Sequence, residues 1–295
     1  MTKKDSWLVW LFLAPAIILV GVLMYYPMVG TVIESFHSTS FINPNPQFVG
    51  LEVYQRIFSQ PEFAQIVVNS LVWTVGVVVL QNLLGFFSAL LLNQHLPGQG
   101  LMRALVLLPW VLPGVVAAIL WRFMYDPQLG LINSFLIGLG LSDTGFAWLA
   151  DPNMAMASAI IAAVWKGFPF STVVYLAALQ NVDEEQIEAS IIDGAGPLRR
   201  LVDIIIPAIK EVMLINFVLT TILTFNYFDM IWVLTRGGPQ NATHIFPTKI
   251  YDLGFGQFRF GDAAVYGVFS ILVLVLLIAL YFTVQGSSRQ RRAAP

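Results

Sequence analysis

The chain has no cysteine, which excludes disulfide scaffolds, thiolate zinc sites, iron–sulfur clusters and cysteine nucleophiles together. Histidine is scarce. His37, His95 and His244 are scattered, and with no HExxH pattern a histidine metal site is not expected. Charge is scarce too: 11% of the 295 residues are charged, against about 25% in soluble domains. Hydrophobic residues make up 57% and the mean hydropathy is +0.76. So few charges cannot coat a water-soluble globule of this size, so the composition is that of a membrane protein. A net charge of −2 leaves no basic face for nucleic acid. There is also no G-x-x-x-x-G-K-[ST] phosphate cradle and no G-x-S-x-G nucleophile elbow, so neither ATP hydrolysis nor serine catalysis is expected of this chain.

What the sequence has in abundance is long apolar runs. A bilayer core about 30 Å thick needs roughly 20 apolar residues in a helix. Six stretches qualify, at about 7–29, 68–92, 104–125, 154–179, 212–234 and 263–283, and they predict an all-α polytopic bundle forming one transmembrane domain over 1–295. The first run is longer than a signal-peptide core and lacks an A-x-A site, so it reads as a retained helix ending in the interfacial Tyr25-Tyr26-Pro27. With both termini in the cytoplasm, the inner segments hold nine basic residues: Lys3, Lys4, Arg103, Arg199, Arg200, Lys210, Arg289, Arg291 and Arg292. The outer loops hold four, Arg56, Arg236, Lys249 and Arg259. The positive-inside rule therefore selects the N-in, C-in orientation.

The loop at about 180–211 carries the densest local pattern. Asp183 is placed to cap a helix, with Gln186 three residues on as a capping-box partner and Glu184 and Glu185 in the first turn. Ile187, Ile191 and Ala195, beside Ile192, predict one apolar face. Gly194 and Gly196-Pro197 then predict the stop.

Within this loop, Glu188-Ala189-Ser190, Gly194 and Ile204-x-Ile206-Pro207 resemble the EAA motif of ABC importer permeases. Ser190 replaces the second alanine and Ile206 the leucine. Leu108-Pro109-Trp110 to Asn133, Trp165-Lys166-Gly167-Phe168-Pro169, and Phe228-Asp229 to Thr243 are similar to segments of the carbohydrate-type permeases, of the maltose and glycerol-phosphate kind. The resemblance implies a coupling helix in which Glu188, Ala189, Ser190, Gly194, Ile206 and Pro207 engage a cytoplasmic ATPase. It further implies a second homologous permease, two ATP-binding cassette subunits that hold ATP and magnesium, and an extracytoplasmic binding protein. No cofactor is expected in this chain itself, which would be the non-catalytic subunit of an inner-membrane sugar importer.

Passage of a sugar asks for polar groups and aromatic faces in an apolar tunnel. Asn226, Tyr227 and Asp229 are the candidates, with Asn226 and Asp229 as i, i+3 neighbours sharing a face of span five. An ion pair holding neighbouring helices is the plainer role for Asp229. Lys166 sits near the middle of span four beside Gly167 and Pro169, which predict a helix break. An ion pair or a backbone cap at that break is weighed ahead of a place on the transport path. Gln81 and Asn82 predict interhelical hydrogen bonds before tunnel lining. A secondary, ion-coupled transporter is the alternative class. It requires intramembrane acids for a relay, and Asp229 is nearly alone among the spans.

Overall fold

Proline and glycine decide where the apolar runs of this chain stay straight and where they turn. The computed structural model describes residues 6–40, 46–94 and 96–292. Lys3, Lys4 and His95 lie outside the described residues. In chain order the helices begin with α1 (Ser6–Val20), α2 (Tyr26–Glu34), α3 (Glu52–Phe58), α4 (Pro61–Leu92), α5 (Gln99–Val111), α6 (Gly114–Met124) and α7 (Leu131–Gly138). They continue with α8 (Pro152–Leu179), α9 (Glu184–Ile192), α10 (Pro197–Arg200), α11 (Ile206–Phe225), α12 (Phe228–Leu234), α13 (Phe246–Tyr251) and α14 (Phe260–Arg292). The described fold is helical, as expected, with isolated bridges in place of strands.

Among the described residues, four helices are long and apolar enough to cross a membrane: Trp10–Glu34, Pro61–Leu92, Pro152–Leu179 and Phe260–Thr283. The stretch expected to be span three is instead two helices, α5 and α6, bent by 97°. Leu112 precedes Pro113 and is held extended (φ −65°, ψ 136°), because the proline ring disfavours helical geometry in the residue before it. The expected span five is also interrupted. α11 ends at Phe225, Tyr227 has left the helix with ψ 91°, and α12 starts afresh at Phe228. Span four corrects the expectation the other way. α8 runs unbroken through Gly167 and Pro169, so a proline that removes one backbone donor does not break it.

The described residues form two compact units, 1–64 with 249–276, and 65–248 with 277–295. In the first, Asp262 is paired with both Arg56 and Arg259, and the buried Lys249 donates to Glu62 at 2.6 Å. Three of the four basic residues assigned to outer loops are thus neutralised by acids. Phe58, Phe63, Tyr266 and Phe269 pack edge to face around them. The helix Trp10–Glu34 is apolar and exposed along its length, with Phe12 80% and Tyr26 78% accessible.

The second unit has an apolar core in which Trp73, Trp121, Tyr125 and Met230 pack with the alanines of α6 and α8. A second cluster joins Phe86, Ala89, Tyr175, Leu179 and Ile209. Asn133 is buried and organises the connection after α6: its amide donates to the carbonyls of Asp126, Pro127 and Phe146, and its oxygen accepts from Trp148 Nε1 at 2.8 Å. The exposed Asp126 carboxylate accepts from the backbone N–H of Leu129 and of Gln128, which hold its pKa below the usual carboxylate range.

Candidate functional site

The second unit encloses a cavity of about 410 Å³ at the point where the broken segments meet α4, α8 and α11. Its apolar and aromatic wall includes Val77, Trp110, Phe170, Leu223 and Tyr227, and Trp110 and Phe170 face each other with ring centroids 6.1 Å apart. Its polar groups are Gln81, Lys166, Thr220, Thr224, Tyr227 and Asp229. Of the three residues proposed from sequence for the transport path, Tyr227 and Asp229 are on the wall. Asn226 is not. It terminates α11, is exposed, and its amide donates back to the Ile222 carbonyl at 2.9 Å. The helical spacing that would align Asn226 with Asp229 ends at the break between them.

Asp229 falls in the first turn of α12, and its Oδ2 is 3.1 Å from where a Cβ on Gly114 would stand. Gly114 is the first residue of α6. The absence of a side chain at Gly114 is what leaves space for this carboxylate. Lys166 reaches the same cavity from α8, and Asp229 acts on it electrostatically. Among the described residues, neither has an ion-pair partner within 4.0 Å, so the helix-holding ion pairs expected for both are not formed. The Tyr227 hydroxyl is buried beside the cavity without a hydrogen-bond partner.

Next to the cavity, along the same helices, sits a buried polar cluster. Gln81 donates to Ser171 Oγ at 3.3 Å, and Asn82 donates to Thr220 Oγ1 at 3.0 Å. Asn216 donates to Asn82 Oδ1 at 2.7 Å and to Ser171 Oγ at 3.0 Å, and Tyr175 donates its hydroxyl to Asn82. The interhelical role expected of Gln81 and Asn82 is realised, and Gln81 also lines the cavity. The partners Ser171, Tyr175 and Asn216 were not singled out from the sequence. A lone Asn216 in an apolar run was the available signal.

The loop after α8 folds as its residues predict. The Asp183 carboxylate accepts from the Glu185 N–H at 3.0 Å, which caps α9. Gln186 contacts the Asp183 side chain at 3.5 Å, so the reciprocal bond of a capping box is replaced by a side-chain contact. The helix closes with the Gly194 N–H on the Ile191 carbonyl and the Ala195 N–H on the Ser190 carbonyl. This pattern needs a left-handed residue at the turn, and Gly194 supplies it with φ +77°. The residues predicted to share an apolar face divide between inward and outward positions. Ser190 is the buried residue of α9, while Glu188 and Ala189 are exposed, Ile191 is 53% accessible and Ile192 86%. Ile187 is half-buried beside Ser190, and the isoleucine pair at the end of α9 faces out. Ile206 and Pro207 open α11, where proline suits the first turn of a helix.

Fold and site together define a multi-pass helical membrane protein with a polar cavity inside the bundle and a rigidly capped helix displayed outside it. Residues 81–293 match the family of binding-protein-dependent transport system inner membrane components. The chain belongs to this family, whose members are the non-catalytic permease components of ABC importers of the inner membrane. It is 36% identical to the trehalose/maltose transport system permease protein MalF of Thermococcus litoralis, over 98% of this chain and 96% of that one. It is 30% identical to the sn-glycerol-3-phosphate transport system permease protein UgpA of Pectobacterium atrosepticum, over 95% and 94%. Its fold is similar to that of a chain in the crystal structure of a bacterial ABC transporter that imports the acidic polysaccharide alginate, with TM-score 0.81 and 23% identity over 99% of this chain and 98% of that one.

Proposed function

We propose that this chain is one of the two membrane-spanning subunits of an ATP-driven importer that takes a carbohydrate or sugar derivative from an extracytoplasmic binding protein into the cytoplasm. The observation that carries the reading is the 410 Å³ cavity, in which aromatic faces alternate with hydrogen-bonding groups in an otherwise apolar bundle. Gln81, Lys166, Thr220, Thr224 and Asp229 on its wall supply donors and acceptors for sugar hydroxyls. Relatives matched along nearly their whole length are named for trehalose, maltose and glycerol phosphate.

In this reading the chain is one permease domain of six spans with both ends inside, the bent α5–α6 pair and the interrupted α11–α12 segment counting as one span each. The basic residues concentrated near α9 and the C-terminus favour that orientation. The exposed Glu188, Ala189 and Ile192 of α9, with Ser190, Gly194, Ile206 and Pro207 supporting them, form the surface that a cytoplasmic ATPase grips. ATP and magnesium bind on two such partners and not here. A homologous second permease completes the tunnel, and closure of the ATPases switches it between discrete inward- and outward-open states.

The test is reconstitution in proteoliposomes with the companion permease, two ATPases and the binding protein. ATP-dependent uptake of a labelled sugar is the expected result. Uptake driven by an ion gradient without ATP would overturn the proposal.

A further inference from the structure

The walls of the cavity carry one positive and one negative group, and the remaining lining residues are uncharged. We propose that Lys166 and Asp229 form a charge-balanced pair that tunes this subunit's part of the path to an electrically neutral, hydroxyl-rich solute and against anionic ones. The inference rests on the carbohydrate reading above and narrows it.

Three observations support it. The two groups are not consumed by an ion pair: no contact within 4.0 Å joins either to an opposite charge among the described residues, yet their charges act on one another. Each therefore keeps hydrogen-bonding capacity for a solute. The carboxylate accepts from hydroxyls, and the ammonium donates to hydroxyl or ring oxygens. Second, Asp229 is held at the cavity wall by the first turn of α12, and Gly114 on α6 leaves the room that its Oδ2 occupies. Third, Trp110, Phe170 and Tyr227 offer apolar faces suited to the C–H face of a sugar ring. An anionic solute attracted to Lys166 meets Asp229 in the same small space, where low-dielectric walls keep the repulsion strong.

The experiment compares uptake of maltose and of its oxidised, anionic analogue maltobionate by the complete importer in proteoliposomes. The readout is the maltobionate-to-maltose uptake ratio of each variant divided by that of the wild type. The binding protein is the same throughout, so its own preference cancels. Asp229→Asn leaves Lys166 uncompensated and is expected to raise the ratio by about tenfold or more. Lys166→Gln leaves Asp229 uncompensated and is expected to lower it by about tenfold. The double variant restores neutrality and is expected to return to within about twofold of wild type, an outcome that loss of packing alone does not produce. Either single variant decides the matter if the other fails to assemble. Ratios unmoved by both, or moved equally by the double variant, overturn the charge balance while leaving the carbohydrate reading intact. A wild-type importer that takes up maltobionate in preference to maltose also overturns the charge balance, and one that takes up neither these nor any other neutral sugar with ATP overturns the carbohydrate reading, and this inference with it.

Discussion

Replacing Gly85 by alanine tests whether the buried polar cluster depends on close approach of α4 and α8. A Cβ at position 85 would stand 2.5 Å from the Ser171 Cβ and 3.0 Å from the Ser171 carbonyl carbon and the Thr172 nitrogen. Carbon atoms in contact prefer about 3.5–4.0 Å, so the helices must part locally by about 1 Å. Backbone cannot swing aside as a side-chain end can. Alanine gains about 1 kcal/mol over glycine in intrinsic helix propensity. Overpacking against it costs about 1–3 kcal/mol. The Gln81–Ser171 bond at 3.3 Å and the Asn216–Ser171 bond at 3.0 Å lengthen with the separation, at roughly 0.6 kcal/mol each by the average for interhelical bonds in membranes. The net expectation is a loss of about 1–3 kcal/mol. Gly76 on the same helix is the control. Its added Cβ meets the Ile160 Cδ1 at 3.0 Å, a flexible methyl that can move, so Gly76→Ala should be neutral or stabilising. Thermal unfolding of the purified permease in detergent measures both. A Gly85→Ala protein that melts at or above the temperature of Gly76→Ala refutes the reasoning.

The coupling surface gives a second expectation: Glu188→Ala keeps the protein in the membrane but lowers sugar uptake per ATP hydrolysed, and unchanged coupling at normal expression counts against the role. Gly194→Val forces a β-branched residue to φ +77°, at a cost of more than about 1 kcal/mol, and is expected to loosen the end of α9 and uncouple similarly, read by amide exchange and ATPase assay. Gly114→Ala should displace the Asp229 carboxylate and Tyr227 hydroxyl, 3.1 and 3.5 Å from the added methyl, and reduce uptake with assembly intact; full uptake would remove Asp229 from the path. The Asp126 turn is held by an ionised carboxylate whose pKa is lowered in the folded state, so its contribution is present above the ordinary carboxylate pKa and lost as pH falls through the folded one. The protection factors of the Gln128 and Leu129 amides, taken relative to intrinsic exchange at the same pH, should therefore fall in acid, and fall at neutral pH in Asp126→Ala.

Much of this was legible because the signals are local. Asp183 and Gly194 define the ends of α9 by side-chain and backbone geometry that involve only their neighbours, and both function as their types predict. The failures are also physical. Pro113 breaks an apolar run while Pro169 does not, since the first follows an extended Leu112 and the second sits in a helix packed on its neighbours. Asn226 offers no breaker signal in its residue type, so the interruption that separates it from Asp229 was hidden. Ile191 and Ile192 were legible as part of one apolar face, but periodicity reports which side is oily and not what covers it, and both stand exposed in the structure.

In the coupling role proposed for α9, the order of residues along α8 and α11 gives it leverage. α9 lies in the connection between them, so a push on it reaches both helices at once. Following α8 back from Leu179, the chain meets Tyr175 and Ser171 of the polar cluster and then Phe170, Gly167 and Lys166 on the cavity wall. Following α11 forward from Ile206, it meets Asn216 and then Thr220 and Thr224. At 1.5 Å per residue the cavity begins roughly 14 Å from the α9 end along α8, at Phe170, and roughly 21 Å along α11, at Thr220. The polar cluster ties the two helices to α4 between those levels. A rigid helix pair clamped at mid-length transmits a displacement at one end as a tilt at the other. A change in the width of the cavity is therefore the direct mechanical consequence of moving α9, with no rearrangement inside either helix required.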